Sequence, residues 1–242
     1  VNSGKEIAII SDVSVSPSTK NVIDDFIQKY PTAKLYSHSL LNDKNKREAW
    51  LFTHNTYNYP SVKLDEAEIV VALDSDFLGS EGNFIENLRL FSKKREVVAK
   101  TDFNRLYVAE GRMSVTGSLA DYRIPISPVD QLSFVYYLMN ELVKTFPTVS
   151  IDSSASSILA KHSSIDLDAS SKEKVNHLLN DIKKNFGKTI FYAGDTLSKD
   201  VHVAVNLLNE IVGASKLYDY SKEFKVAQKY STTEEISSLV SS

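Results

Sequence analysis

Apolar residues along the chain occur in short continuous runs, and these runs alternate with segments of helical periodicity. Four of the runs predict buried strands, at Glu6–Ile10, Glu68–Leu73, Arg105–Ala109 and Thr189–Ala193. Between them, apolar residues recur every three or four positions, which is typical of amphipathic helices. Continuous apolar strands that alternate with helices indicate a mostly parallel sheet with helices on both faces, so we predict an α/β fold.

Shorter or weaker patterns complete the predicted order of elements. Strands are also expected at Lys34–Ser37, Tyr122–Ile126 and Lys216–Tyr220, and helices at Ser16–Tyr30, Asp43–His54, Asn83–Lys94, Pro128–Thr145, Ser171–Phe186, Ser198–Val212 and Thr232–Leu239. The segment Thr148–Ser171 is rich in Ser, Asp and Ala, which favours a linker or an irregular crossing. We therefore predict an α/β domain over residues 1–147 and a smaller α/β unit over residues 148–242.

Composition restricts the classes of function. The chain has a net charge of −3, and its Lys and Arg residues form no basic stripe. This argues against nucleic-acid binding, which needs clustered positive charge. No apolar run approaches the roughly 20 residues of a membrane span. Because the chain has no Cys, it cannot by itself hold an iron–sulfur cluster or use a thiol. It starts at a strand without Met, so we expect an excised part of a longer protein.

Two loops contain side chains or glycines that are suited to chemistry. Asp74 and Asp76 directly follow an apolar strand, where paired carboxylates can bind a divalent ion and a diphosphate, as in a sugar-nucleotide transferase. Alternatively, one aspartate caps the loop and the other faces solvent. Gly79 and Gly82 precede a helix whose first N–H groups could meet a phosphate. The sequence contains neither a GxGxxG nor a GxxxxGK[ST] fingerprint.

Catalytic and metal-binding patterns are not recognisable in this sequence. The five histidines are scattered without HxxxH or HxH spacing, and no GxSxG occurs. His202, at the start of a predicted helix after a strand, is either positioned to face a ligand or a surface or packing residue. We therefore predict no catalytic residue and no metal ligand, and the sequence alone leaves open whether the protein is an enzyme.

The stretch from Glu110 to Asp130 is more specific than the rest of the chain. Its Glu-Gly-Arg-Met-Ser-Val-Thr run, its Ala-Asp pair at Ala120-Asp121 and the following short strand resemble the molybdopterin oxidoreductase superfamily. Together with Asp74–Gly79, Asn104–Val108 and Ser14–Pro31, the stretch is similar to one branch of it. That branch is the large iron–sulfur subunit of alternative complex III, also described as an iron–sulfur-cluster-containing hydrogenase component.

The resemblance implies a Rossmann-like fold and a place in respiratory electron transfer from quinol toward a cytochrome or an oxidase. In that family a molybdopterin-enzyme-like half is joined to a ferredoxin-like half that holds the iron–sulfur clusters. This chain would be part of the first half, without a cofactor of its own. Its expected partners are the cluster-bearing half and other subunits of a bacterial membrane complex, on the periplasmic side.

Three departures from the superfamily pattern suggest a degenerate cofactor fold, and one of them is that no Cys or other metal-binding pattern supplies a molybdenum site. An Asp-rich loop replaces the usual Gly-x-Asn-Pro loop, and Pro128-Val129-Asp130 replaces a Pro-Gly-Thr-Asp turn. Two carboxylates would repel the pyrophosphate of a pterin dinucleotide unless a cation intervened. We predict a scaffold without a redox centre, and the alternatives are the metal-dependent transferase and a residual nucleotide-binding module. The remnant groove would contain Asp74, Asp76, Gly79, Arg112, Thr116, Asp121 and Asp130.

For three of these residues the sequence also permits purely local roles. Arg112 could pair with Glu110 or with Asp121 at the loop. Thr116 and Asp121 could tie the loop together through hydrogen bonds from side chain to backbone, as such side chains readily do. A local role and a ligand-binding role imply different orientations of these side chains.

Overall fold

The computed structural model describes residues 6–13, 16–96, 103–146, 153–224 and 229–241. The strands are β1 (Ile7–Ser11), β2 (Ala33–Ser37), β3 (Tyr59–Val62), β4 (Ile69–Leu73), β5 (Arg105–Glu110), β6 (Tyr122–Pro125), β7 (Thr189–Ala193) and β8 (Tyr218–Phe224). The helices are α1 (Pro17–Lys29), α2 (Lys44–His54), α3 (Phe84–Lys93), α4 (Val115–Ser118), α5 (Gln131–Val143), α6 (Ser153–Lys161), α7 (Ala169–Lys184), α8 (Lys199–Ile211) and α9 (Thr233–Ser241). Residues Pro128–Asp130 and Ala214–Leu217 form 3-10 turns.

The main sheet has four parallel strands in the order β6-β5-β4-β7, flanked by helices. Each residue of β4 is buried, as expected for a strand that lies inside a sheet covered by helices. The core around it includes Tyr107 and Phe134, both fully buried. The predicted α/β fold is therefore confirmed, and the arrangement is Rossmann-like.

The first two strands form a parallel pair of their own, β1 with β2. The prediction that β1 is buried is wrong, because the strand lies outside the main sheet and none of its residues is buried. They are bridged by α1, which begins where predicted: the Ser16 side chain accepts the Thr19 N–H, and Pro17 occupies the first turn. The outer edge of β2 is hydrogen-bonded to the segment before α9. There the Ser231 N–H donates to the Ser37 carbonyl at 2.9 Å, and the Ser37 N–H donates to the Ser231 hydroxyl at 3.1 Å.

A second small sheet joins distant parts of the chain. Strand β3, which the sequence patterns did not predict, pairs antiparallel with β8, and the register shifts between Pro60 and Ser61. Proline has no backbone N–H to donate to a ladder, so a proline in a strand pattern weakens the strand signal and is found at edges or bulges. The predicted strand Lys216–Tyr220 corresponds to β8, which begins two residues later and extends to Phe224.

The segment Thr148–Ser171, predicted as a linker, contains helix α6, so that prediction is wrong over Ser153–Lys161. Its Ser and Ala residues are compatible with a helix once Leu159 is buried against the rest of the protein. Residues 147–152, where the predicted domain boundary falls, lie outside the described residues. Beyond them, β7 pairs in parallel with β4 along its whole length, so the main sheet takes strands from both sides of that boundary.

The open edge of β7 is covered by one side chain. Asn209 of α8 accepts the Phe191 N–H at 2.9 Å and donates to the Phe191 carbonyl at 3.1 Å. The amide thus makes the two hydrogen bonds that a neighbouring strand would make. A second N–H of Asn209 donates to the Tyr218 hydroxyl at 3.1 Å, which links β7 to β8. Unpaired strand edges invite association with other chains, and this edge is closed at its centre.

Candidate functional site

A cleft of about 1170 Å³ lies at the carboxyl ends of the parallel strands. Most of its lining comes from the loops that follow β1, β2, β4, β5 and β7. Open α/β sheets bind ligands at this edge, because the loops that follow parallel strands converge there. The cleft is therefore the place to test the residues that the sequence singled out.

Asp74 lines the cleft in a constrained backbone position. Its φ of 49° lies in the left-handed region, and its N–H donates to the Ala109 carbonyl at 2.8 Å. Burial raises the pKa of its carboxyl, although a hydrogen bond from the Gly111 backbone and the nearby Arg112 act in the opposite direction. A Cβ on Gly194 would lie 2.0 Å from the Asp74 carbonyl oxygen, so only glycine fits where these loops cross.

Asp76 joins the loop after β4 to helix α4. Its Oδ1 accepts the Thr116 N–H at 2.9 Å and the Thr116 hydroxyl at 3.0 Å, while its Oδ2 accepts the Ser80 hydroxyl at 2.9 Å. The Thr116 oxygen in turn accepts the Leu78 N–H at 3.1 Å. Both carboxylate oxygens of Asp76 are therefore engaged in holding two loops together.

The glycine-containing loop before α3 directs its N–H groups inward. The amides of Gly79, Ser80 and Glu81 all point to the carbonyl oxygen of Asp76, at 2.9, 3.0 and 3.2 Å. A Cβ on Gly79 would lie 2.3 Å from Asp76 Oδ2, so this glycine permits the close approach of the carboxylate. These amides are already paired, and a phosphate would have to displace that pairing to bind them.

Glu110, at the end of β5, is almost fully buried and ion-paired. Its Oε1 lies 2.8 Å from Nε of Arg123, and its Oε2 accepts the Ser114 hydroxyl at 2.7 Å. A Cβ on Gly117 would lie 1.9 Å from Oε1, so the glycine makes room for the carboxylate. The predicted alternative pairing of Glu110 with Arg112 does not occur, because Arg123 on β6 takes that position.

The structure separates the remaining predicted residues. Arg112 is exposed and lines the cleft near Asp74. Asp121 lies at the opposite, amino-terminal edge of the sheet, where its carboxylate accepts the Leu106 N–H at 2.7 Å and pairs with Arg95 at 2.5 Å. Asp130 is exposed in the 3-10 turn before α5 and does not line the cleft. Only part of the predicted groove is thus assembled, around Asp74, Asp76 and Arg112, with Gly79 and Thr116 packed behind Asp76.

A charged cluster that the sequence patterns did not predict contributes Glu81 and Asp195 to the lining of the cleft. Glu81 accepts the Ser75 hydroxyl at 2.7 Å and the Asp195 N–H at 3.2 Å. Burial, reinforced by the nearby Asp195 carboxylate, raises the pKa of Glu81 to about 7. Lys46 of α2 lies 3.5 Å from Asp195. Burial lowers the pKa of Lys46, but Asp195 and other neighbours outweigh burial and raise it above its usual range.

In the sequence, only the position of two residues in loops hints at this cluster. Glu81 lies between Gly79 and Gly82, and Asp195 directly follows Ala193-Gly194 at the end of a predicted strand. Lys46 lies within an ordinary helical pattern, and nothing in the sequence distinguishes it from the other lysines of the chain. Its importance depends on the packing of α2 against α8, which periodicity does not reveal.

His202 is a buried packing residue rather than one that faces the cleft. It is only 3% exposed, and burial, together with the charge of Lys46, lowers the pKa of its imidazole to about 3. A hydrogen bond to the backbone of Gly194 fixes the ring. The neutral imidazole therefore supports the start of α8 below the cleft.

Two further observations concern metals and membranes. Among the described residues, no group of three or more His, Asp or Glu side chains is arranged to hold a metal ion. None of the helices in the described part of the chain is both long and apolar enough to cross a membrane.

Comparison with known proteins does not assign the chain to a family. No protein-family profile matches the sequence, and no curated protein is significantly similar to it. Function must therefore be argued from the site itself and from the resemblance of its loops.

Proposed function

We propose that this chain is a scaffold domain of a respiratory iron–sulfur subunit of the alternative complex III type. In this proposal the cleft descends from a molybdopterin cofactor site and no longer holds a cofactor. The observation that carries the proposal is the contact between Asp76 and Thr116. In this contact the Asp76 carboxylate accepts the N–H at the start of α4, a group that a cofactor phosphate would otherwise bind.

The electrostatics of the cleft support this proposal. The amides of Gly79, Ser80 and Glu81 donate to the Asp76 carbonyl oxygen and are not free to bind a phosphate. Asp74 and Glu81 add carboxylates to the same cleft. An anionic pyrophosphate would find these hydrogen-bond donors already paired. It would also meet negative charge in a partly buried site, where repulsion is stronger than in water. The residues present do not fit a pterin dinucleotide.

The placement of the resembling segments gives a second line of support. Asp74–Gly79 and Glu110–Thr116 are far apart in the sequence, and they meet through Asp76 and Thr116 at one edge of the sheet. This is the edge at which a Rossmann-like fold holds its ligands. Segments that resemble cofactor loops, at the position of a cofactor site but bonded to one another, are what a degenerate scaffold requires.

The electron-transfer role belongs, in this proposal, to the parent complex. Iron–sulfur clusters would be held by a cysteine-containing half of the same protein. The complex would lie on the periplasmic side of a bacterial inner membrane and pass electrons from quinol toward a cytochrome or an oxidase. The chain described here would contribute shape and packing surface.

The metal-dependent transferase is less well supported by the geometry. Asp76 uses both carboxylate oxygens for Thr116 and Ser80, and the Asp74 carboxylate accepts a hydrogen bond from the backbone of Gly111. The two carboxylates thus have separate hydrogen-bond partners and do not face a common position for a metal ion. We do not propose a transferase activity.

Cofactor analysis of the parent protein tests the proposal. The complete protein that contains this chain is purified with its complex from native membranes, and iron, acid-labile sulfide, molybdenum and pterin are quantified. We expect iron and sulfide in stoichiometric amounts and neither molybdenum nor pterin. A molybdopterin enzyme purified from the same membranes is the control for detection. Stoichiometric pterin would overturn the scaffold assignment, and absence of iron and sulfide would overturn the respiratory assignment.

A further inference from the structure

The loop between β2 and α2 holds two leucines out in solvent. Leu40 is 92% exposed and Leu41 is 84% exposed, and both line the cleft. The loop is fixed by its own hydrogen bonds: the Ser39 hydroxyl donates to the Leu41 carbonyl at 2.9 Å, and the Asn42 side chain donates to the Ser39 carbonyl at 2.6 Å. Exposure of two adjacent large apolar side chains is unfavourable, and it is expected where a partner covers them.

A second loop presents apolar side chains to the same cleft. Met113 lies between β5 and α4, Val115 is the first residue of α4, and the two are 62% and 55% exposed. The Ser114 hydroxyl, between them in sequence, accepts the Gly117 N–H at 2.9 Å and fixes the start of α4. We refer to Leu40, Leu41, Met113 and Val115 as the apolar rim. Two loops, each stabilised by its own hydrogen bonds, thus present exposed apolar side chains to the cleft.

The interior of the cleft is negatively charged, in contrast to its apolar rim. Among the described residues, seven acidic side chains line it, against two arginines. One of these arginines, Arg47, is already paired with Asp43 at 2.7 Å. In the described part of the chain, Asp12, Asp74 and Asp76 have hydrogen-bond donors but no ion pair within 4.0 Å. The cleft therefore favours cations and disfavours anions.

We propose that the cleft binds an extended segment of another protein chain that carries Lys or Arg between large apolar side chains. The apolar side chains cover Leu40 and Leu41 on one loop and Met113 and Val115 on the other. The cationic side chain reaches the carboxylates of Asp12 and Asp74. This inference rests on the rim and on the charge of the cleft, and it stands apart from the respiratory assignment.

Synthetic peptides of defined pattern test the proposal on the full 242-residue chain. The probe is a fluorescein-labelled peptide of four Gly-Leu-Lys repeats, and its binding is followed by fluorescence anisotropy at low and at moderate salt. Matched peptides replace every Leu by Ser or every Lys by Glu. We expect the Ser peptide to bind about tenfold more weakly and the Glu peptide not to bind, since both apolar contact and opposite charge are needed. Added salt should weaken binding of the Lys peptide, because it screens the attraction between opposite charges.

Variants locate the binding site. L40S/L41S should weaken binding of the Gly-Leu-Lys peptide about tenfold, because central apolar contacts contribute most of the affinity of such sites. D12N and D74N keep a hydrogen-bond acceptor at each position and together should weaken binding about fivefold, as expected when charges that attract the ligand are removed. V240S is the matched control, because Val240 on α9 is also exposed, at 83%, but does not line the cleft.

Several outcomes would overturn the proposal. Equal binding of the Gly-Leu-Lys peptide and its Glu counterpart would show that the charge of the cleft does not select the ligand. Unchanged affinity in L40S/L41S would show that the apolar rim does not contact it. Circular dichroism of each variant establishes that it is folded. Sedimentation velocity of the unliganded chain provides a further test: self-association that L40S/L41S abolishes would assign the rim to a second copy of this chain. Binding of the rim to phosphatidylcholine vesicles in place of the peptide would assign it to a lipid surface.

Discussion

Thr116 illustrates how a single hydroxyl can stabilise two loops. It donates to the Asp76 carboxylate and accepts the buried N–H of Leu78. The sequence allowed either a ligand-binding or a loop-stabilising role for this residue, and in the structure its hydroxyl is hydrogen-bonded within the protein, between two loops. The family resemblance placed Thr116 and Asp76 in the same predicted groove. It did not reveal that they would bond to each other, because that contact joins loops forty residues apart.

We predict that T116V lowers the free energy of unfolding by about 2 kcal/mol, because the methyl group leaves the buried Leu78 N–H and one bond to Asp76 unsatisfied. Urea denaturation followed by circular dichroism measures the change. The control is T32V, since Thr32 is exposed in the turn before β2 and should change stability by less than about 0.5 kcal/mol. Equal effects of the two substitutions would contradict the bridging role of Thr116.

Glu81 should make stability depend on pH. Burial and Asp195 raise the pKa of this carboxyl from 4.5 to about 7 in the folded protein. Between these values the folded state retains a proton that the unfolded chain has lost. The contribution of Glu81 to the free energy of unfolding therefore falls as pH rises, by up to about 1.4 kcal/mol per pH unit.

E81Q should remove this dependence, because glutamine does not ionise. We predict that the wild-type protein loses stability relative to E81Q between about pH 4.5 and pH 7, with the curves parallel at higher pH. Urea midpoints measured at half-unit intervals of pH provide the comparison. Parallel curves over the whole interval would show that Glu81 titrates normally in the folded state.

At the scale of secondary structure, the hydrophobic pattern was a good guide to the main strands and most helices. Continuous apolar runs predicted β4, β5 and β7, and the Ser-Pro pair predicted the start of α1. The pattern was less informative where pairing partners decide the structure. Strand β3 contains Pro60 and is stabilised by β8 from far along the chain, so no local signal identifies it.

Helix α6 was missed because its Ser-rich composition is typical of linkers. Its packing gives a direct test with adjacent residues, since Leu159 is 6% exposed and Ile158 is 48% exposed. We predict that L159A lowers the free energy of unfolding by about 3 kcal/mol, as expected for loss of a buried leucine side chain. I158A should cost less than about 1 kcal/mol. Thermal or urea unfolding measures both, and a small effect of L159A would mean that α6 does not pack as described.

At the scale of the whole molecule, the order of strands in the main sheet is the feature that sequence patterns could not supply. The predicted boundary at residue 147 follows a change in composition, but β7 lies beyond it and pairs with β4. Composition reports on local chain properties, whereas strand order depends on contacts between distant segments. The same limit explains Asp121, whose motif suggested the cleft although the residue lies at the opposite edge of the sheet.

A truncated chain of residues 1–147 tests how far the two segments depend on each other. Without β7, the buried strand β4 loses one of its two neighbours, and the sheet also loses α7, which packs against β6, and α8. We predict that this fragment shows no cooperative unfolding transition in urea, in contrast to the full chain. A cooperative transition with native-like circular dichroism would show that the first segment is an independent domain.

In our proposal, the cleft at the carboxyl edge of the sheet does not bind anionic nucleotides, although this edge of a Rossmann-like sheet binds them in other proteins. GDP carries the nucleoside and pyrophosphate that such ligands share. Isothermal titration calorimetry of the full chain with GDP, with and without Mg²⁺, is therefore the most direct test, and UDP-glucose with Mn²⁺ tests the transferase alternative in the same way. We predict no saturable heat from either ligand. Saturable binding at one site per chain, weakened by a substitution at Arg112 or Asp74, would contradict the account.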